Sequence, residues 1–427
     1  MARIFFTLLL FFLVFLFSGS ASCIFAQSYA QTAPTIITTD IDNFWAAYDK
    51  IVTTKDNAEQ LKYLNELFIE KASPGQQEMF KARRYKPEEY IDAINKRPEY
   101  WARIRPNTLK ARDFAPQFES GIEKLRKIYP ELRPANIYFT VGVFRSGGTT
   151  SGNNILIGSE IIFGDEKLMN NLPLTNVHEY VHTQQKTTLC NNLLGQSVME
   201  GVAEFVSVKA MQTQSTAPAI NYGKNNESPV KNAFILQMFN IDRGFWLYSD
   251  AKNDFNTRDL GYYVGYAIAE KYYEKAKDKK LAIKEMIELD CNNPVLLAKY
   301  VDTSDYFPKS VKNYEKKYEK NRPRVVGIKE FKNGAKNVRP GITRLTVEFS
   351  EEMLPPYRSF NNGPLGKETS ITIKNYLGFS EDGKLLYLEI EPLEPNKRYQ
   401  MELGSSFRDK TSVRLKPYLI DITTADK

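Results

Sequence analysis

The sequence predicts an α+β protein: a mainly helical domain with a small edge sheet, followed by an all-β sandwich. Three observations predict it. Apolar residues recur at helical spacing through most of the first 300 positions, the period changes to two between positions 136 and 158, and beyond position 324 the pattern is wholly strand-like. The 427 residues exceed one ordinary domain, which by itself favours two units.

The chain opens with Arg3, an apolar run from Ile4 to Phe17, and the small residues Ser18 to Ser22. This reads as a secretory signal peptide spanning 1–26, with cleavage after Ala26 or Ala30, and so as an exported, periplasmic or surface protein. The run is shorter than the ~20 residues of a spanning helix, so no membrane span is expected. Cys23, behind Ser-Ala-Ser, also resembles a loose lipobox and would serve as a lipid anchor.

The helical domain is placed at 32–305. Phe44, Tyr48, Ile51 and then Leu61, Leu64, Leu67, Phe68 keep helical spacing, and Pro87, Pro98 and Pro106 punctuate the series. Alternation over Asn136–Val143 and Asn154–Gly158 predicts two strands, separated by the turn-prone stretch from Ser146 to Gly152. Within it, Gly147-Gly148-Thr149-Thr150 is read as a hairpin turn in preference to a strand that pairs with an extended substrate backbone. Helical patterns resume at Leu174, Ser197–Met211, Lys231–Phe245 and Arg258–Lys277. A Lys-rich linker, itself helical at its start, covers 306–323 and closes on Pro323. Short strands then follow at Leu345–Phe349, Ile371–Ile373, Leu385–Ile390, Tyr399–Leu403 and Leu419–Thr423, with Gly, Pro and Asn between them.

The formal charge of +7 is spread along the chain and gives no basic patch that would argue for nucleic acid. With Cys23 removed or lipidated, Cys190 and Cys291 remain as an even pair; spacing alone leaves a disulfide between them open.

The chain holds two histidines, and they stand four apart in Asn176-Val177-His178-Glu179-Tyr180-Val181-His182, an HExxH pattern. Chance would give that spacing roughly once in two hundred sequences with two histidines. On a helix both imidazoles share one face and can bind one metal ion, while Glu179 lies beside it, placed as general base toward a water the metal activates. Tetrahedral zinc needs a third protein ligand and an open position, and with no further histidine an acidic residue must serve.

The next helix offers Glu200 in Met199-Glu200-Gly201-Val202-Ala203-Glu204. Here the chain resembles the gluzincin metallopeptidases, thermolysin-like and aminopeptidase-N-like, in which a helical Glu follows HExxH by some twenty residues, often as Glu-Gly-x-Ala. The resemblance implies a zincin-like fold, Zn2+ as cofactor, and His178, His182 and Glu200 as ligands. Glu204 then corresponds to a carboxylate that hydrogen-bonds a ligand imidazole. It extends to Gly261-Tyr262-Tyr263-Val264-Gly265-Tyr266, where Tyr262 matches the tyrosine that stabilises the oxyanion, with Tyr263 and Tyr266 as rivals. The Gly-x-Met-Glu-Asn segment of aminopeptidases is missing, which favours an endopeptidase acting on protein or peptide. The segments Phe349–Met353, Ser380–Leu385 and Leu393–Tyr399 resemble bacterial Ig-like domains, so 324–427 is expected to serve spacing, stability or attachment and to be dispensable for chemistry. The rival function is a surface binding protein with a structural zinc site; an intact Glu179 argues against it.

Overall fold

The computed structural model describes residues 34–187, 189–249 and 253–427; the signal-peptide and Cys23 readings lie outside them. The N-terminal layer is α1 (Thr39–Ile51), α2 (Asn57–Leu64), α3 (Pro74–Arg83), α4 (Pro87–Lys96), α5 (Pro98–Thr108) and α6 (Ala115–Ile128). Pro87 and Pro98 open α4 and α5, where the missing N–H would have had no partner, and Pro106 falls in the last turn of α5. The stripe along α1 packs edge-on, with Phe44 and Trp45 at 5.2 Å between centroids and Phe44 on Phe68 at 5.6 Å.

A mixed sheet follows, built from β1 (Ile36–Ile37), β2 (Asn136–Thr140), β3 (Gly148–Ser151) and β4 (Asn154–Gly158) in the order β1-β2-β4-β3. The strands β1, β2 and β4 are parallel, and β3 returns antiparallel on β4 with Thr149 opposite Leu156. Residues 148–150 are thus strand, not the hairpin turn the sequence suggested. The turn sits two residues later at Gly152, whose φ of +56° suits glycine.

Beyond a short α7 (Ser159–Ile162), α8 (Glu166–Gln184) begins eight residues before the expected start, because Asp165 caps it by accepting the N–H groups of Lys167 and Leu168 at 2.8 and 3.1 Å. Then come α9 (Leu193–Met211), α10 (Pro218–Asn225), α11 (Glu227–Gln237), α12 (Leu260–Lys275), α13 (Lys279–Ile287), α14 (Pro294–Ser304) and α15 (Val311–Asn321). The expected linker helix is α15, and its Val311 and Tyr314 belong to the helical core, which starts at Ile41.

The C-terminal strands β5 (Val325–Ile328), β6 (Arg344–Phe349), β7 (Phe360–Asn361), β8 (Ile373–Phe379), β9 (Leu385–Ile390), β10 (Arg398–Leu403) and β11 (Tyr418–Thr423) form two antiparallel sheets. Their orders are β5-β6-β9-β8 and β11-β10-β7. Leu345, Val347, Leu386 and Leu388 from one sheet and Met401, Leu403, Ile420 and Ile422 from the other fill a second core. The protein is therefore α+β, with a helical N-terminal part and a β C-terminal part. Among the described residues no helix is long and apolar enough to cross a membrane.

Candidate metal centre

The helices α8 and α9 place His178, His182 and Glu200 together, all buried. His178 Nε2 and His182 Nε2 lie 3.0 Å apart, and Glu200 Oε2 stands 3.1 Å from the second and 3.6 Å from the first. Donors about 2.1 Å from a tetrahedral zinc lie about 3.4 Å from one another, so the three atoms already enclose a site of that size.

The outward nitrogens are both engaged. His178 Nδ1 is 3.1 Å from Glu204 Oε2, and His182 Nδ1 is 2.7 Å from Gln185 Oε1. Glu204 can only accept, which puts the proton on Nδ1 of His178 and turns the Nε2 lone pair inward. Gln185 is oriented by its own Nε2, which donates to Met199 O at 2.9 Å and leaves Oε1 to face His182. Ser215 donates to the other Glu204 oxygen, and Tyr248 donates to Glu200 Oε1, which leaves Glu200 Oε2 to the pair of imidazoles. Gln196 in turn donates to the Tyr248 hydroxyl at 2.8 Å.

These contacts set the electrostatics. Burial pushes the His178 imidazole down, but hydrogen bonds to Glu200 and Glu204 outweigh it and lift it to about 10, so without an ion Nε2 also carries a proton, which a bound metal would displace. Burial would raise Glu200, yet His182 and His178 hold it well below the usual carboxylate range. Glu179, partly exposed to the cleft, is pushed up by desolvation, with the two histidines pulling the other way. A carboxylate held above its ordinary value is a better proton acceptor.

Of the three tyrosines, Tyr262 reaches the site: its ring stacks on His178 with centroids 6.1 Å apart, and it lines the same cleft as Glu179. Tyr263 lies over Gly223, and Tyr266 packs edge-on against Phe205; both are buried in the helical core. Burial first, and then the charge of Glu200, push the Tyr262 phenol well above its ordinary range, so it stays a donor. Its position depends on a close helix crossing. A Cβ on Gly201 would meet Gly265 C at 2.1 Å, and one on Gly265 would meet Ser197 O at 1.7 Å, so α9 and α12 touch backbone to backbone.

The cleft has a volume of roughly 630 Å³ and is walled on one side by β3 and the segment before it, from Arg145 to Thr150. A Cβ on Gly148 would lie 2.9 Å from Glu179 Oε1. Buried Glu160 holds that segment by accepting Gly142 N at 2.9 Å and Phe144 N at 3.1 Å. Tyr248 also lines the cleft, and its loop is joined to the β C-terminal part: Arg408 Nη1 is 2.5 Å from Asp242 Oδ2, and Asn240 Nδ2 donates to Thr411 O at 3.1 Å. Asn240 O also accepts Leu193 N at 2.8 Å, at the first turn of α9. Cys190 and Cys291 are buried free thiols in contact with each other, without a disulfide.

Sequence reasoning missed Gln185 and Tyr248. Gln185 carried a signal, lying three residues past His182 just beyond the end of its helix; Tyr248 sits in a loop with no motif.

No family model matches the chain, and no curated protein matches it. Among solved structures it matches the S-layer protein rSbsC(31-844) and surface layer protein SbsC, domains 1-6. Each is 12% identical with a TM-score of 0.19, covering 91% of this chain and 45% of the other. The chain thus spans less than half the length of those structures, and at that TM-score the likeness carries no argument about fold or function.

Proposed function

We propose that the protein is an exported zinc metallopeptidase that cleaves peptide bonds within protein or peptide substrates. The single observation that supports it most is the convergence of two tautomer-fixed imidazoles and a carboxylate on one point, with Glu179 and Tyr262 facing the same open cleft. The donor set, two neutral nitrogens and one carboxylate oxygen, suits zinc better than calcium or magnesium, which prefer oxygen cages. His178, His182 and Glu200 would hold the ion, and Glu204 and Gln185 would fix the two rings.

When bound, zinc supplies Lewis acidity, lowering the pKa of water and polarising the scissile carbonyl. Glu179 takes the proton from the attacking water and returns it to the departing amide nitrogen, so the leaving group departs as a neutral amine. Tyr262, held protonated, donates its hydrogen bond to the carbonyl oxygen as negative charge develops there. Tyr248 occupies the second oxygen of Glu200 and keeps that carboxylate single-handed. The C-terminal unit, read as an Ig-like module, brings no catalytic group of its own to the cleft.

The test is Glu179→Gln, which keeps size and removes the base. Zinc content by mass spectrometry should stay at about one per chain, while cleavage of casein or a quenched peptide library falls at least ~10²-fold. Undiminished cleavage by the zinc-loaded variant would end the mechanism.

A further inference from the structure

Three arginines line the cleft, and two already have acidic partners. Arg145 pairs with Glu89, and Arg258 Nε donates to Asp259 Oδ2 at 2.8 Å. Arg83 differs. Its Nη2 donates to Ser146 Oγ at 2.9 Å, its Nε is buried without a partner, and among the described residues no carboxylate lies within 4.0 Å of its guanidinium. A guanidinium carries five N–H donors in a fork that matches a carboxylate, so one hydroxyl leaves most of that capacity unused.

The position of Arg83 is fixed by its helix. At the start of α3 Gly75 lies so close to the Tyr138 ring that a Cβ would fall 2.1 Å from it. Gln76 exchanges two hydrogen bonds with Val141, at 2.9 and 2.7 Å. Arg83 is the last residue of α3, and Arg84, with φ of 52°, turns the chain away.

We propose that Arg83 is a specificity residue that binds a carboxylate of the substrate, so that the cleft selects acidic peptides. This rests on the peptidase reading. The carboxylate belongs either to an Asp or Glu side chain near the scissile bond or to the end of a short peptide. Both present the same two oxygens to the fork.

Quenched peptides carrying Glu or Gln at each position around the scissile bond, with free or amidated C-termini, separate these sources. For the zinc-loaded wild type, kcat/KM for the best Glu peptide should exceed that of its Gln twin at least ~10-fold, or the free terminus should exceed the amide by as much. Arg83→Gln should bring that ratio close to one, and Arg83→Lys should keep part of it. The ratio is the readout because Arg83 also acts on Glu179 through its charge. An Arg83→Gln protein that slows both twins equally, or a wild type with ratios near one in both comparisons, overturns the proposal.

Fluorescence anisotropy of the same peptides, without quencher, on Glu179→Gln and on the Glu179→Gln, Arg83→Gln double variant gives a readout without turnover. Arg83-dependent binding by a protein that cleaves nothing leaves this assignment standing and sinks the peptidase reading. Cleavage without Arg83-dependent preference sinks only the assignment, and neither cleavage nor such binding sinks both.

Discussion

Glu160 is the sharpest place to test the wall of the cleft. Its carboxyl is fully buried, and desolvation raises it from 4.5 to about 7 in spite of the hydrogen bonds from Gly142 and Phe144. In the unfolded chain it titrates near the ordinary value, so between about pH 4.5 and 7 the folded state holds a proton that the unfolded state has lost. Stability from this group is therefore full below about pH 4.5, falls as pH rises, and is gone above about 7. At about 1.4 kcal/mol per pH unit the total is about 3 kcal/mol, of which about 2.5 kcal/mol is lost between pH 5 and 8. Glu160→Gln removes the titration but offers one acceptor to two N–H groups, which costs about 1–3 kcal/mol at acid pH. Urea unfolding of chelator-treated wild type and variant at pH 5, 6, 7 and 8 isolates the effect, because the other titrating groups are common to both. The stability gap should shrink by about 2.5 kcal/mol from pH 5 to 8, and at pH 8 the variant should match or exceed the wild type. A gap constant within about 1 kcal/mol over that range would refute the assignment of Glu160 as a buried acid that ionises only near neutrality.

Replacing His178, His182 or Glu200 by Ala should each abolish stoichiometric zinc in the purified protein, read by metal analysis; full retention in Glu200→Ala would move the third ligand elsewhere. Glu204→Gln and Gln185→Ala should weaken zinc affinity by about 10- to 100-fold in a competitive chelator titration, since each frees a ring that its partner now orients. Because Asp242 and Asn240 join the Tyr248 loop and the start of α9 to the β unit, Asp242→Ala or a chain ending at Lys320 should keep zinc. Either should cleave a short peptide at least ~10-fold more slowly. An unchanged rate would return the β unit to the passive role its sequence suggested.

The parts legible in the sequence were those carried by short local patterns. His178, Glu179 and His182 declare themselves by type and spacing, and Glu200 and Glu204 follow because one helical turn separates them. What stayed hidden is set by contact across the fold. Tyr248 meets Glu200 from 48 residues away, and the expected helix over Lys231–Phe245 stops at Gln237, where the carbonyls of Met238 and Asn240 turn to accept the first N–H groups of α9. Strand β8 was expected at Ile371–Ile373 and lies at Ile373–Phe379, because bulges after Ile373 and Tyr376 break the alternation that sequence reading depends on. Arg83 and Glu160 have nothing to mark them among the other charged residues until burial and partners are known.

The contact of Gly201 with Gly265 has a consequence for how the protein tolerates change. Glu200 precedes one glycine and Tyr262 lies one turn before the other, so the spacing between the proposed third ligand and the proposed proton donor is set by two positions that have no side chain. A single methyl at either would force the helices apart by an ångström or more while every ionisable group stayed in place. Variants of this kind would retain the full HExxH signature and most of their metal. They would be silent in any inventory of chemical groups and, on the peptidase reading, still inactive, because what they lose is distance.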